Sequence, residues 1–179
     1  MSNFIWENLF RDSKKENSVR EKLKKNYLFQ DLNLSELKFL ERIVNVRDYR
    51  AGENIFRQGD VGVGMYLIAK GSVNIYVEEI VPQTGEAKMA LVTQLKAGDF
   101  FGDLALVEDN GRRSATAVSH QEVSLIGFFK SDLIEITERS SAIGVKILMR
   151  LSEVLGRRLK ETTQKITELR REYREKGFS

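Results

Sequence analysis

The spacing of apolar residues changes twice along the chain. In residues 1–46, apolar side chains such as Val19 and Leu23 recur at helical spacing. In residues 47–129, short runs rich in β-branched and aromatic side chains alternate with turn residues, as is typical of strands. In residues 130–176 the helical spacing returns. The pattern therefore predicts a β-rich centre between two helical segments.

The central segment contains several strand candidates of similar length. They lie at residues 65–68, 73–77, 91–93, 115–118 and 123–126. Turn residues such as Gly59, Gly71 and Gly98 separate them. Because many short strands at nearly regular spacing favour a closed antiparallel architecture, the predicted fold class is α+β. We expect an antiparallel β-barrel or jelly roll with N-terminal helices and a long C-terminal helix.

The C-terminal segment carries a heptad seam. Its members step by four and three residues alternately, namely Leu148, Ser152, Leu155, Leu159, Thr162, Ile166, Leu169 and Tyr173. Such a helix can pack on its own barrel, but a seam sustained over several heptads favours a parallel partner helix. We therefore predict a homodimer formed through residues 143–173.

The predicted organisation has three parts. A basic helical extension covers residues 1–26, the β-barrel with flanking helices covers residues 27–138, and the dimerisation helix with its tail covers residues 139–179. Between residues 11 and 26, seven Lys or Arg residues stand against three acids. This segment is either an arm that docks on a partner, a membrane surface or the C-terminal helices, or a solvated helix face packed on the barrel. Trp6 and Phe10 are its anchors in both cases.

Composition excludes several classes of protein. The net charge of +3 is too small to indicate nucleic-acid binding by itself. The chain has no cysteine, and no apolar run approaches the roughly 20 residues that span a bilayer. We therefore expect a cytoplasmic protein without a transmembrane segment. The only histidine, His120, argues against a metalloenzyme built on a histidine cluster.

Residues 101–117, FGDLALVEDNGRRSATA, have the pattern of a phosphate-binding cassette. Gly102 permits a tight turn, and the Asp103 carboxylate precedes a short helix-forming run. A polar loop then leads to an arginine, whose planar guanidinium suits phosphate oxygens. Such a segment can hold a sugar hydroxyl at one end and a phosphate at the other. The cassette predicts a small-molecule sensor rather than an enzyme.

The cassette, together with residues 50–60 (RAGENIFRQGD) and residues 65–73 (MYLIAKGSV), resembles the cyclic nucleotide-binding domain family. The resemblance runs from about residue 27 to residue 169, with a weaker third block at 147–163. It implies a cyclic purine nucleotide as ligand, with cyclic AMP as the first choice and cyclic GMP as the alternative. The residues themselves offer no catalytic triad and no histidine cluster, so we expect no catalytic residue, no metal and no cofactor.

The resemblance also assigns roles to individual residues. Arg113 rather than Arg112 pairs with the cyclic phosphate, because the order Arg113-Ser114-Ala115 matches the family. Asp103 replaces the glutamate that binds the ribose 2′-hydroxyl, and it could instead be only the N-cap of the short helix. The full set of candidate ligand-binding residues is Phe101, Gly102, Asp103, Leu104, Ala105, Arg113, Ser114, Ala115, Arg158, Thr162 and Thr163.

Three of these residues lie on the long helix. Thr162 and Thr163 sit where the family's long helix meets the base, and Arg158 lies one turn earlier, near the phosphate. Each also has an ordinary alternative, because Thr162 falls on the heptad seam and Arg158 could be a surface arginine. These assignments therefore depend on how the helix packs.

Three functions follow from the sequence. The first is a dimeric cyclic nucleotide sensor that transmits binding through its C-terminal helix to an effector protein. The second is a dimeric scaffold with a degenerate pocket. This alternative remains because Asp103 replaces the family's glutamate. The third, a barrel enzyme of the cupin type, is opposed by the single histidine. Because the chain ends within ten residues of Leu169, we expect no helix-turn-helix domain and no direct sequence-specific DNA binding.

Overall fold

A computed structural model describes residues 19–81 and 85–176 of the protein. Within these residues the chain forms two four-stranded antiparallel sheets, with strand orders β1-β8-β3-β6 and β2-β7-β4-β5. The strands are β1 (Asn45–Tyr49), β2 (Asn54–Phe56), β3 (Gly64–Lys70), β4 (Ser72–Ile80), β5 (Ala87–Lys96), β6 (Phe100–Phe101), β7 (Thr116–Ser119) and β8 (Val123–Phe129). The predicted α+β jelly roll is confirmed.

Helices precede the first strand and follow the last strand in the sequence. Residues 19–25 are helical, and the remaining helices are α1 (Leu34–Glu41), α2 (Lys130–Arg139), α3 (Ser141–Glu175) and a short 3-10 helix (Asp103–Leu106). Helix α1 begins with a capping box, because the Asn33 side chain accepts from the N–H of Glu36 and the Glu36 side chain accepts from that of Asn33.

The predicted helical pattern up to residue 46 is wrong at its end. Helix α1 ends at Glu41, and Asn45 already pairs with Gly127 of β8. The apolar spacing of Ile43 and Val44 suits a helix, but both side chains pack against the core from the connection to β1. Pairing with a distant strand therefore determines the backbone here, which local spacing does not reveal.

Alternation along the strands creates two layers of core. On β3, Met65 and Leu67 face the helices, whereas Ile68 faces the other sheet. On β8, Phe128 lies in the helical layer and Leu125 lies between the sheets. Because successive strand residues point to opposite faces, one sheet supports both layers. The sheet β1-β8-β3-β6 is thus covered by helices on one side and by the second sheet on the other.

Charged side chains fasten the segment before β1 to α3. Arg150 donates to both carboxylate oxygens of Asp31 at 2.6 and 2.9 Å, and Lys146 donates to both oxygens of Glu36 at 2.8 Å. These pairs join residues more than 100 positions apart in the chain. The N-terminal segment and the long helix are therefore held as one layer.

Only part of the basic extension lies within the described residues. Leu23 is fully buried in the helical layer, whereas the charged residues Lys22, Lys24 and Lys25 are exposed. For residues 19–26 this arrangement agrees with a solvated helix face packed on the domain. Trp6 and Phe10, the predicted anchors, lie outside the described residues.

The two halves of α3 have different surroundings. Ile147, Leu151 and Val154 are buried in the helical layer, but every residue from 159 to 176 is exposed. The exposed half includes the seam residues Leu159, which is 69% exposed, and Ile166. The chain by itself therefore leaves the distal part of the seam uncovered. Among the described residues, no helix combines the length and apolar character needed to cross a membrane.

Candidate ligand-binding site

A cleft of about 170 Å³ lies beside the 3-10 helix and the residues that lead into β7. Nine of the eleven predicted site residues line it, namely Phe101, Gly102, Asp103, Leu104, Ala105, Arg113, Ser114, Ala115 and Arg158. Six further residues complete the lining, namely Phe56, Gly62, Ile75, Glu108, Gly111 and Arg112. The cassette and one position of the long helix thus meet at a single cavity.

Arg113 forms the inner wall of this cleft and is only 7% exposed. Its guanidinium donates to the carbonyl oxygen of Gly64 at 2.7 Å and to that of Gly102 at 3.2 Å. It also lies over the Phe56 ring, 4.1 Å from the centroid. Two carbonyls and one ring therefore hold the guanidinium in a fixed orientation.

The buried environment of Arg113 has an electrostatic cost. Burial lowers the pKa of Arg113 from its ordinary value, while Tyr66 and Asp60 act in the opposite direction. Arginine nevertheless remains charged in proteins. Its Nε atom is buried without a hydrogen-bond partner among the described residues. A buried cation that is only partly compensated favours the arrival of an anion.

Glycines make room for this arginine. Gly102 has a φ of +75°, and a Cβ atom there would lie 2.5 Å from Nη1 of Arg113. A Cβ atom on Gly62 would lie 2.9 Å from the Cβ of Ala105 and 3.4 Å from Cζ of Arg113. The left-handed backbone of Gly102 and the space beside it both require glycine.

Asp103 is 2% exposed and forms an ion pair with Arg158, in which Nη1 lies 2.6 Å from Oδ1. The other carboxylate oxygen, Oδ2, is buried and has no partner among the described residues. The N-cap of the 3-10 helix is Gly102, with no side-chain cap, so the suggestion that Asp103 is its N-cap is wrong. Arg158 remains about half exposed, with 48% of its side chain accessible, and it is paired with Asp103 at the cleft.

Thr162 and Thr163 do not line the cleft. Both side chains are exposed, and their hydroxyls donate to carbonyl oxygens one turn earlier, of Arg158 at 2.8 Å and of Leu159 at 2.9 Å. Beyond Arg158, α3 is exposed on all sides. In this arrangement of the helix, the two threonines are therefore separate from the other predicted site residues.

Sequence reasoning missed several lining residues. Phe56 of β2 and Ile75 of β4 form an apolar wall of the cleft. The strand alternation of β4 could have placed Ile75 on the inner face with Val73, but Phe56 reaches the cleft only through sheet pairing. Arg112 also lines the cleft, yet it is exposed and donates to the carbonyl of Gly59 at 2.8 Å.

The charges at the cleft suit an anionic ligand. Arg112, Arg113 and Arg158 outnumber the two acidic lining residues, Asp103 and Glu108. Within the described ranges, no group of His, Cys, Asp and Glu is arranged to hold a metal ion. The cleft therefore offers cations, one buried carboxylate oxygen and apolar walls.

Comparison with known proteins identifies the family. Residues 46–140 match the family described as "Cyclic nucleotide-binding domain". The chain belongs to the cyclic nucleotide-binding domain family, as the cassette and the two preceding blocks implied. The family match covers the cassette and all strands except the first residue of β1.

Individual relatives agree with this family. The chain is 32% identical over 139 residues to the Cyclic AMP receptor protein of Thermus thermophilus, which covers 78% of this chain and 60% of that protein. The crystal structure of Thermus thermophilus Catabolite Activator Protein matches with a TM-score of 0.68 and 29% identity, over 80% of this chain and 63% of that chain. The structure of cAMP bound PfPKA-R (141-441) matches with a TM-score of 0.57 and 30% identity, over 69% and 42%. The chain thus spans about 60% of the length of its curated Thermus relative.

Proposed function

We propose that the chain is a regulatory module that binds a cyclic purine nucleotide in the cleft, with cyclic AMP preferred over cyclic GMP. The observation that carries this proposal is the buried Arg113, whose guanidinium is held by two carbonyls and one aromatic ring at the inner wall. The preference for cyclic AMP is supported by the relatives, one named as a Cyclic AMP receptor protein and one solved with cAMP bound.

The cleft residues divide the ligand between two ends. Arg113 and the exposed hydroxyl of Ser114 bind the cyclic phosphate, because charge-assisted hydrogen bonds to phosphate are strong. At the other end, Oδ2 of Asp103 accepts from the ribose 2′-hydroxyl, which satisfies an oxygen that is otherwise buried and unpaired. Phe101, Leu104, Ala105 and Ala115 shape the walls; the first two of these flank Gly102 and Asp103.

The base contact couples the ligand to the long helix. Thr162 and Thr163 reach the purine when α3 shifts relative to the barrel, and Arg158 connects that helix to Asp103 at the cleft. Ligand binding changes the helix position only to the extent that one arrangement binds the ligand better than the other. Coupling between cleft and helix therefore follows from the contacts that each arrangement makes.

The second element of the proposal is a homodimer through residues 143–173. The exposed seam residues Leu159, Ile166 and Leu169 are large and apolar, and a second copy of the same helix would cover them. Partner helices in register would then carry the shift of one protomer to the other. An effector protein receives the signal from this paired helix.

A ligand-free dimeric scaffold is the second candidate function. The observation that favours it is the ion pair between Asp103 and Arg158, which already engages one oxygen of the carboxylate within the protein. In this case the cleft has kept its shape and lost its ligand, while the long helix still pairs. The two candidates differ in a single measurable property, which is affinity for a free cyclic nucleotide.

The experiment that tests the proposal is isothermal titration with cyclic AMP and with cyclic GMP. The protein is unfolded and refolded beforehand, so that carried-over ligand is removed and folding is verified by circular dichroism. Saturable binding near one nucleotide per protomer, tighter for cyclic AMP, supports the sensor, and recovery of unchanged nucleotide afterwards supports a module without catalytic activity. The absence of heat with both nucleotides, in folded protein, would favour the scaffold.

A further inference from the structure

Two loops border the cleft, one containing Gly62 and Val63 and the other at residues 108–111. Lys130, the first residue of α2, contacts both loops but does not line the cleft itself. Its backbone N–H donates to the carbonyl of Val63 at 2.9 Å. Its ammonium donates to the carbonyl of Glu108 at 3.0 Å and to the carboxylate of Asp109. One residue of the helical layer thus holds two loops through three hydrogen bonds.

The first of these loops packs directly on the phosphate end of the cleft. Val63 follows Gly62, whose N–H donates to the carbonyl of Gly111 at 2.9 Å. Gly62 also lies against Ala105 and the Arg113 guanidinium. A movement of this loop would therefore change the space available to the arginine.

The second loop carries the chain from the 3-10 helix to the arginines. Glu108 lines the cleft, and Asn110 has a φ of 55°, a left-handed conformation that few residues adopt readily. The loop then returns to Gly111, Arg112 and Arg113 within three residues. Fixing the loop at Glu108 and Asp109 fixes the point from which Arg113 enters the cleft.

We propose that Lys130 is a positioning residue for nucleotide binding, whose ammonium fastens the loop at residues 108–111 and thereby orients Arg113 toward the phosphate. This inference rests on the proposed function. Lys130 would thus affect the affinity for the nucleotide although it does not line the cleft. Because α2 packs on α3 in the helical layer, the same hydrogen bonds connect the loop at residues 108–111 to the helix that is proposed to transmit binding.

The ion pair between Lys130 and Asp109 is expected to affect the order of the loop more than the stability of the whole fold. Asp109 is 92% exposed at its side chain, and the hydrogen bond from Lys130 lowers its pKa. Exposed ion pairs contribute little to folding, because water screens them and side-chain entropy opposes them. A loss of the ammonium is therefore expected to loosen the loop while leaving the melting temperature nearly unchanged.

The test compares three variants of the full chain. Lys130→Met removes the ammonium and keeps both the aliphatic stem and the backbone hydrogen bond to Val63. Lys130→Arg keeps a cation of similar reach, and Lys88→Met is a matched control on the exposed strand β5. Each is titrated with cyclic AMP, melted thermally, and compared by amide hydrogen exchange at residues 108–113 without ligand.

We expect Lys130→Met to weaken cyclic AMP binding by up to about 10-fold, because the loosened loop must then be ordered when the ligand binds. Amide exchange in the loop becomes faster, the melting temperature changes little, and Lys130→Arg restores most of the affinity. Lys88→Met behaves as the wild type. If Lys130→Met folds poorly, Asp109→Asn removes the ion pair from the other side, and it is expected to weaken binding in the same direction.

Two outcomes would overturn the inference. Unchanged affinity and unchanged loop exchange in both Lys130→Met and Asp109→Asn would show that the fastening does not orient Arg113. A loss of affinity that follows a fall in melting temperature, without rescue by Lys130→Arg, would show an ordinary structural role. Wild-type protein without affinity for cyclic AMP would instead overturn the proposed function, so the two failures are distinct.

Discussion

Replacing Arg113 with alanine is expected to weaken cyclic AMP binding far more than replacing its neighbour Arg112. The two side chains have the same charge and adjacent positions, but different surroundings. Arg113 is buried at the inner wall between two carbonyls and a ring, whereas Arg112 is exposed at the edge of the cleft. The pair therefore forms a matched comparison in which burial is the main variable.

The expected magnitude follows from this difference in burial. Losing one partner of a desolvated, hydrogen-bonded charge pair costs about 2–5 kcal/mol. At about 1.4 kcal/mol for each tenfold change, Kd rises roughly 30-fold to several thousand-fold in Arg113→Ala. Arg112 is solvated, and removing an exposed charge costs about 0–1 kcal/mol, so Arg112→Ala is expected to change Kd by less than about 5-fold.

Stability must be measured together with affinity, because Arg113 also has structural contacts. Its removal leaves the carbonyls of Gly64 and Gly102 without their donor, at about 1 kcal/mol for each lost hydrogen bond. Arg113→Lys keeps the charge but lacks the planar fork, so it separates charge from geometry. We expect its affinity to lie between those of the wild type and Arg113→Ala.

The assay is isothermal titration with cyclic AMP, with a thermal melt of each variant in the same buffer. Equal losses of affinity in Arg112→Ala and Arg113→Ala would refute the assignment of the phosphate-binding arginine. Wild-type affinity in a folded Arg113→Ala protein would refute the proposed position of the phosphate altogether.

Three further predictions address other parts of the molecule. Gly102→Ala places a methyl group against the guanidinium of Arg113 and strains a left-handed residue, so we expect a loss of affinity of at least about 10-fold and a lower melting temperature, by titration and thermal melt. Leu159→Lys combined with Ile166→Lys puts charges on the exposed seam, and analytical ultracentrifugation is expected to show dimers of the wild type and monomers of the double variant. The hydrogen bond from Arg150 holds the pKa of Asp31 below its ordinary value of 3.8, so its contribution to stability is complete above that value and disappears as the pH falls through the lowered pKa. Urea unfolding of the wild type and Asp31→Asn should differ at pH 6, and the difference should shrink progressively as the pH falls below 3.8.

The cassette was predictable because its information is local. Gly102, Arg113 and Ser114 are close in sequence, and the need for a turn, a cation and a small neighbour can be inferred from the residues themselves. The family resemblance placed the jelly roll around them. Short strands such as β1 and β6 were not predicted, because their extended backbone depends on pairing with β8 and β3.

The remaining parts of the site depend on contacts between distant residues. Asp103 and Arg158 are 55 residues apart, and only the packing of α3 brings them to 2.6 Å. The same packing leaves Thr162 exposed, although the family resemblance implied a contact with the base. Phe56 reaches the cleft because β2 pairs with β7. Periodicity indicates which face of a helix is apolar, but not how far along its length that face is covered.

The uncovered half of α3 also has a geometric consequence. Residues 159–175 continue the helix beyond its contact with Asp103 at Arg158. At 1.5 Å per residue they extend about 26 Å, so a rotation of about 10° around Arg158 would displace the far end by about 4 Å. If the helix pivots at Arg158, a small change of its orientation at the cleft would become a displacement of several ångströms at Glu175.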